Sequence, residues 1–75
     1  MNKARRKWLS DVIDVIEEKK SELESIMDEE QEALDNMPES LQDSERAQEM
    51  SDNIDTISSA IDSIDDAISY LSDMV

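Results

Sequence analysis

The stretch AQEMSDNIDTISSAIDSIDDAISYLSDMV, residues 47–75, decides the fold. Its apolar residues follow one another at alternating intervals of three and four. That spacing is the heptad repeat of a coiled-coil helix, in which positions a and d form an apolar seam along one side. The seam consists of Ala47, Met50, Ile54, Ile57, Ile61, Ile64, Ile68, Leu71 and Val75, with Ala47 at position a. A helix with such a seam needs another helix to pack against.

A second, less regular seam precedes this one in the chain. Its members are Leu9, Ile13, Ile16, Lys20, Leu23, Met27, Glu30, Leu34 and Met37. Lys20 and Glu30 are polar residues at seam positions, which lowers stability and often fixes register or oligomeric state. We expect helix 1 to run from about residue 3 to about residue 36, because Pro38 pushes Met37 out of helical geometry.

The connection between the two helices is short. We expect a turn over residues 37–43 and helix 2 over about residues 44–74, with Asp43 or Ser44 as its N-cap. Because so short a connection makes consecutive helices antiparallel neighbours, the sequence predicts an all-α fold. The expected fold is a single domain, residues 1–75, folded as a two-helix antiparallel coiled-coil hairpin.

A second apolar stripe runs beside the seam in both helices. It comprises Trp8, Val12, Val15, Ile26 and Ala33 in helix 1, and Ala60 and Ala67 in helix 2. Two facing helices need only the narrow a/d seam, so these wider stripes stay uncovered in a lone hairpin. We therefore expect a homodimer that forms a four-helix bundle, or a partner's helix in the groove.

The composition argues against catalysis and tightly bound cofactors. The chain has no His, Cys or Gly and only one Pro. No Ser-His-Asp or Cys-His arrangement, zinc site, disulfide or phosphate-binding glycine loop can be built without those residues. Asp62, Asp65 and Asp66 lie close on one helix, but the spacing and the glycine of an EF-hand are absent. We expect no enzyme activity, no cofactor and no metal site.

Charge is distributed unevenly along the chain. The net charge is −14, and residues 1–27 hold six basic and six acidic side chains, whereas residues 28–75 hold fifteen acidic ones and Arg46. Such a field repels nucleic acid and anionic membrane, so we expect direct binding to neither. In the antiparallel hairpin the basic N-terminus, Lys3 to Lys7, should pair with the acidic end of helix 2. Lys19 and Lys20 should likewise face Asp62 and Asp65.

No apolar run follows the basic N-terminus, so we expect neither a signal peptide nor a transmembrane span. Together with the absence of cysteine, this favours a cytoplasmic location.

Two groups of residues are candidates for partner binding. The first is the stripe of Trp8, Val12 and Val15, because a Trp often anchors an interface. Alternatively, these three belong to the core of a homodimer. The second is the acidic cluster of helix 1, which consists of Asp28, Glu29, Glu32 and Asp35. Such a cluster either binds a basic protein or serves only for solubility.

Two functions follow from these groups. One is a non-enzymatic protein–protein interaction module that binds a partner protein through its helical faces. The alternative is an acidic nucleic-acid mimic that inhibits a host nucleic-acid-binding or defence enzyme, with carboxylates in place of phosphates.

The segment DEEQEALDNMPESLQDSERA, residues 28–47, resembles one found in a family of small acidic proteins. These are helical-hairpin proteins of Firmicutes bacteria and their phages or prophages. In them an acidic Asn-x-Pro-Glu-x-Leu-x-x-Ser-Glu turn joins two helices, which matches Asn36 to Glu45 here. Family members often have glycine near the position of Ala47. The resemblance covers residues 28–75 and implies a helical hairpin in a mobile-element setting, without an activity or functional residues.

Overall fold

The protein consists of two long helices and a short turn. The computed structural model describes all 75 residues. Helix α1 spans Lys3–Asp35, a single 3₁₀ turn spans Glu39–Leu41, and helix α2 spans Glu45–Ser72. There is no strand. The protein is an all-α helical hairpin, with α1 and α2 packed against each other.

Side-chain caps define the beginning of each helix. The Asn2 side-chain oxygen accepts a hydrogen bond from the backbone N–H of Arg5 at 2.8 Å. The Ser44 hydroxyl accepts one from the backbone N–H of Ala47 at 3.2 Å, which identifies Ser44 rather than Asp43 as the N-cap of α2. Each bond pairs one of the four backbone N–H groups that a helix leaves unsatisfied at its start.

Pro38 separates the helices as its chemistry requires. Its backbone is extended, with φ −54° and ψ 142°, so the helical path of α1 ends at the C-cap Asn36. The chain then reverses through the 3₁₀ turn, in which the Leu41 N–H donates to the Pro38 carbonyl at 2.8 Å. No residue has a positive φ, so this reversal needs no glycine.

The seam residues form the core of a slender molecule that measures 59 × 15 × 12 Å. Every predicted seam residue except Val75 is buried or half-buried, including the polar Lys20 and Glu30. Only Ile13, Ala47, Met50 and Ile61 are buried, and each of them is at most 8% exposed. Val75 is exposed because α2 ends at Ser72, two residues before the expected end. Two helices that share one seam cannot enclose most of its side chains.

The register is antiparallel along the whole hairpin. Close to the turn, Leu34 and Ala47 line the same depression. Near the middle, Lys20 contacts Asp65. The two chain termini therefore lie together at the end opposite the turn, which we call the open end.

Candidate functional site

The contacts between the helices show which flanks of the two seams lie on the same side. Continuing the heptad through α1 places Leu9 at d and Ile13 at a. Lys20, at a, contacts Glu24 of its own helix and Asp65 of α2, and both of these are at position e. The e positions of both helices thus lie on one side of the hairpin. Positions g and c, which are neighbours on a helix surface, lie on the other side.

A shallow depression near the turn lies on the e side as well. It has a volume of about 300 Å³ and is open to solvent. Its lining residues are Leu34, Asp35, Gln42, Ala47, Gln48 and Ser51. Asp35 and Gln48 are at position b and Ser51 is at e, so this side of the hairpin is polar on both helices.

The opposite side carries the exposed apolar side chains of both helices. They are Trp8, Val12, Val15, Ile26 and Ala33 on α1, with Ala60, Ala67, Tyr70 and Met74 on α2 and its C-terminal turn. All of them occupy positions c and g, and we call this surface the apolar face. Trp8 is 69% exposed and Tyr70 is 75% exposed. Outside the seam, Ala4 is the only other apolar residue of the two helices.

The apolar face is also electrically balanced. Positions c and g of the two helices carry three basic and three acidic residues, namely Arg5, Lys19 and Arg46 with Glu22, Glu29 and Glu49. The net charge of −14 therefore lies elsewhere, on positions a, b, e and f, on Glu30 and on the turn. The apolar face therefore adds no net repulsion of its own when it approaches a second acidic surface.

Tyr70 and Met74 are members of the apolar face that the sequence reasoning missed. The stripe of helix 2 was expected to contain only Ala60 and Ala67. The signal was nevertheless present, because Met74 follows Ala67 by seven residues and Tyr70 follows it by three. Residues with these spacings share one surface of a helix.

The acidic cluster lies far from the other candidate group, Trp8, Val12 and Val15. Asp28, Glu29, Glu32 and Asp35 are all exposed. At a rise of about 1.5 Å per residue, Asp28 is roughly 30 Å from Trp8 along α1. The ion pairs of the structure all involve residues outside the range 28–52. The ten carboxylates of that range, which surrounds the turn, consequently have no cationic partner within 4 Å.

One ion pair joins the two helices. The Lys20 ammonium donates a hydrogen bond to Asp65 Oδ1 at 2.6 Å and also lies 3.8 Å from Glu24. The hydrogen bond to Asp65 raises the pKa of Lys20 above its usual value of 10.5, although partial burial opposes this. Lys20 keeps its charge by extending its stem over the seam with the ammonium at the edge.

Lys19 does not face Asp62 or Asp65 as expected. It pairs with Glu22 of its own helix at 2.9 Å. That hydrogen bond raises the pKa of Lys19. The reason is positional, since Lys19 is at g and Asp65 is at e, on the other side of the hairpin.

The expected pairing of the basic N-terminus with the acidic end of α2 is not observed either. Of Lys3, Arg5, Arg6 and Lys7, only Lys7 has an ion pair, and its partner is Asp11 of the same helix. This bond raises the pKa of Lys7. The carboxylates of Asp66 and Asp73 are at the outward position f of α2, so they are not directed towards α1.

The structure shows neither a metal-binding cluster nor a membrane-spanning helix. No group of three acidic side chains is placed to hold a metal ion, and this includes Asp62, Asp65 and Asp66. Neither helix combines the length and the hydropathy of a membrane-spanning segment.

Fold and surfaces together define an acidic two-helix hairpin with one apolar, charge-balanced side. No protein-family model matches the chain, and comparison with the curated proteins and the solved structures found no match.

Proposed function

We propose that this protein is a non-enzymatic protein–protein interaction module of the cytoplasm, of phage or mobile-element origin, which binds another protein through its apolar face. The supporting observation is that all exposed apolar side chains of the two helices except Ala4 lie at positions c and g. Apolar side chains scattered over a surface are ordinary, whereas a contiguous patch with polar surroundings is typical of an interaction site.

Trp8 is the expected anchor of the interaction. It is largely exposed in the hairpin, and Trp is enriched among the residues that dominate binding energies. Val12 and Val15 lie within two turns of it on the same side. Together they form a ridge that a groove of a partner protein can receive.

A charge placed on this ridge tests the proposal. Val15→Glu should abolish capture of protein partners from a lysate of the host bacterium, since a carboxylate in an apolar interface is costly to desolvate. Ser21→Glu is the matched control, because it adds the same charge at the outward position b and should leave capture unchanged. Both variants are checked for helix content by circular dichroism. Equal capture by the two folded variants would refute binding through the apolar face.

A second candidate function is supported by the acidic residues around the turn. In this second function the protein would act as a nucleic-acid mimic that inhibits a host nucleic-acid-binding or defence enzyme. The supporting observation is that the ten carboxylates of residues 28–52 have no ion-pair partner. They are therefore available to interact with a basic surface. Added salt would screen this attraction and slow the association.

Neutralising the acidic cluster separates the two functions. Replacing Asp28, Glu32 and Asp35, the members of the cluster that lie off the apolar face, by Asn or Gln should abolish binding to a basic partner if the mimic is correct. If binding persists at every salt concentration, the mimic is excluded and the apolar face remains as the binding surface.

A further inference from the structure

We propose that the apolar face binds a second copy of this chain in a four-helix bundle, with the two open ends together and Trp8 of each copy against Tyr70 of the other. This inference deepens the proposed function, because it rests on the apolar face being an interaction surface and names its occupant.

The charge distribution favours a second copy over a different acidic or basic protein. Two chains with a net charge of −14 repel each other in most orientations. The apolar face is the surface on which basic and acidic residues cancel. It therefore permits self-association, and it offers no excess charge that would select an oppositely charged partner.

The small core of the hairpin also favours self-association. Only four residues of the chain are buried. A chain of this length without disulfides or metal usually needs oligomerisation to supply the missing burial. Covering the apolar face would complete the enclosure of both helices on that side.

The apolar residues of the face are concentrated near the open end. In the antiparallel register given by Leu34 and Ala47, Trp8 lies within about one helical turn of Tyr70 along the hairpin, and Val12 lies within about one turn of Ala67. Nearer the turn the same face carries Glu29 and Glu49. The area that gains most from being covered is therefore the half of the hairpin that contains both termini.

A two-fold axis along the length of the hairpin matches this distribution. It places each Trp8 opposite Tyr70 of the second copy, whereas a head-to-tail arrangement places each Trp8 opposite Glu29 or Ala33. Trp8 is 69% exposed and Tyr70 is 75% exposed, so at about 150–250 Å² for each aromatic residue the two Trp and two Tyr side chains supply roughly 400–700 Å² of buried surface. The partly exposed Val12, Val15 and Met74 add to this area and bring it towards the roughly 1,200 Å² of a stable complex.

The arrangement with the two open ends together, the same-end arrangement, predicts how the affinity of the dimer depends on salt. It brings together the two turn regions, residues 28–52, each with ten acidic side chains and Arg46 as the one basic residue. Added salt screens their repulsion, so the dimer should become tighter as ionic strength rises. A head-to-tail dimer would behave in the opposite way, because each acidic turn would lie beside the basic N-terminus of the other copy.

Sedimentation equilibrium tests the inference with two matched variants. The wild-type chain should sediment at twice its mass of 8.6 kDa. Trp8→Ala should raise the dimer dissociation constant by at least about 30-fold, as expected for an interface anchor. Leu41→Ala, which removes an exposed apolar side chain of the turn, should leave it unchanged. A wild-type monomer at high micromolar concentration, or equal effects of the two variants, would overturn the proposal.

The orientation is tested by distance measurement between copies. The native chain has no cysteine, so a single spin label can be attached through Ser40→Cys at the turn. The same-end bundle places the two labels within roughly two helix diameters of about 10–12 Å each. A separation close to the 59 Å length of the hairpin would show a head-to-tail dimer and overturn the proposed orientation.

These results are distinguishable from failure of the proposed function. If the chain is monomeric and Val15→Glu still abolishes capture of another protein, only the identity of the occupant is wrong. If neither self-association nor capture depends on the apolar face, both proposals fail.

Discussion

Ile61→Ala should remove most of the hairpin's stability, whereas Ile26→Ala should not. Both substitutions delete the same atoms from the middle of a helix, yet Ile61 is 8% exposed and Ile26 is 51% exposed. Truncating a buried Ile to Ala costs about 2–5 kcal/mol, through lost burial and the cavity left behind. A half-exposed Ile loses about half of the burial free energy and leaves no enclosed cavity, so we expect about 1 kcal/mol at Ile26.

The loss of stability expected for Ile61→Ala is large relative to the total stability, because the molecule is small. A core in a chain of this length rarely supplies more than about 3–5 kcal/mol. Ile61→Ala should therefore lie close to its unfolding midpoint at room temperature, while Ile26→Ala stays folded. Urea unfolding followed by the helical circular dichroism signal measures both, at a protein concentration low enough to limit self-association. Equal losses of stability in the two variants would refute the assignment of Ile61 to the core and of Ile26 to the surface.

Three further predictions concern the cap, the interhelical ion pair and the net charge. Ser44→Ala removes the N-cap of α2 and should lower the free energy of unfolding by about 1 kcal/mol, which corresponds to a melting temperature lower by roughly 4–8 °C. The control Ser59→Ala, at an exposed helical position, should leave the melting temperature unchanged. Because the pKa of Lys20 is raised by its hydrogen bond to Asp65, the stability from this pair is present below the unfolded pKa of about 10.4 and is lost as pH rises through the higher folded pKa. Urea midpoints measured across that range should fall more steeply for the native chain than for Asp65→Asn, and parallel curves would contradict the coupling. Lowering the pH towards the sequence pI of 4.1 should raise the melting temperature and promote self-association, because it removes the self-repulsion of a net charge of −14. Added salt at neutral pH should act in the same direction. A melting temperature that falls under both conditions would show that charge repulsion does not limit stability.

The core and the ends of the helices were predictable because their signals are local. The heptad spacing selects the residues that face the other helix, and the structure buries or half-buries all of them except Val75. Pro38 and Ser44 act on their immediate neighbours through backbone geometry and one hydrogen bond. The predicted bounds of the helices accordingly differ from the observed ones by one or two residues.

The ion pairs were less predictable because they depend on the angular position of each side chain around two helices at once. Lys19 and Lys20 are adjacent in the chain, yet only Lys20 reaches across to α2. Lys19 lies on the other flank, where Glu22 of its own helix is nearer. Closeness in the antiparallel register is therefore insufficient, and the flank on which each charge lies decides its partner.

By itself, the sequence determined the fold class, the seam, the turn and the excess of negative charge, since periodicity and composition are properties of the chain alone. Only the tertiary structure decided that the stripes of the two helices lie on the same side and form one apolar face. The physical reason is that antiparallel packing places equivalent flanks of the two seams on the same side. The contacts of Lys20 with Glu24 and Asp65 identify which side that is.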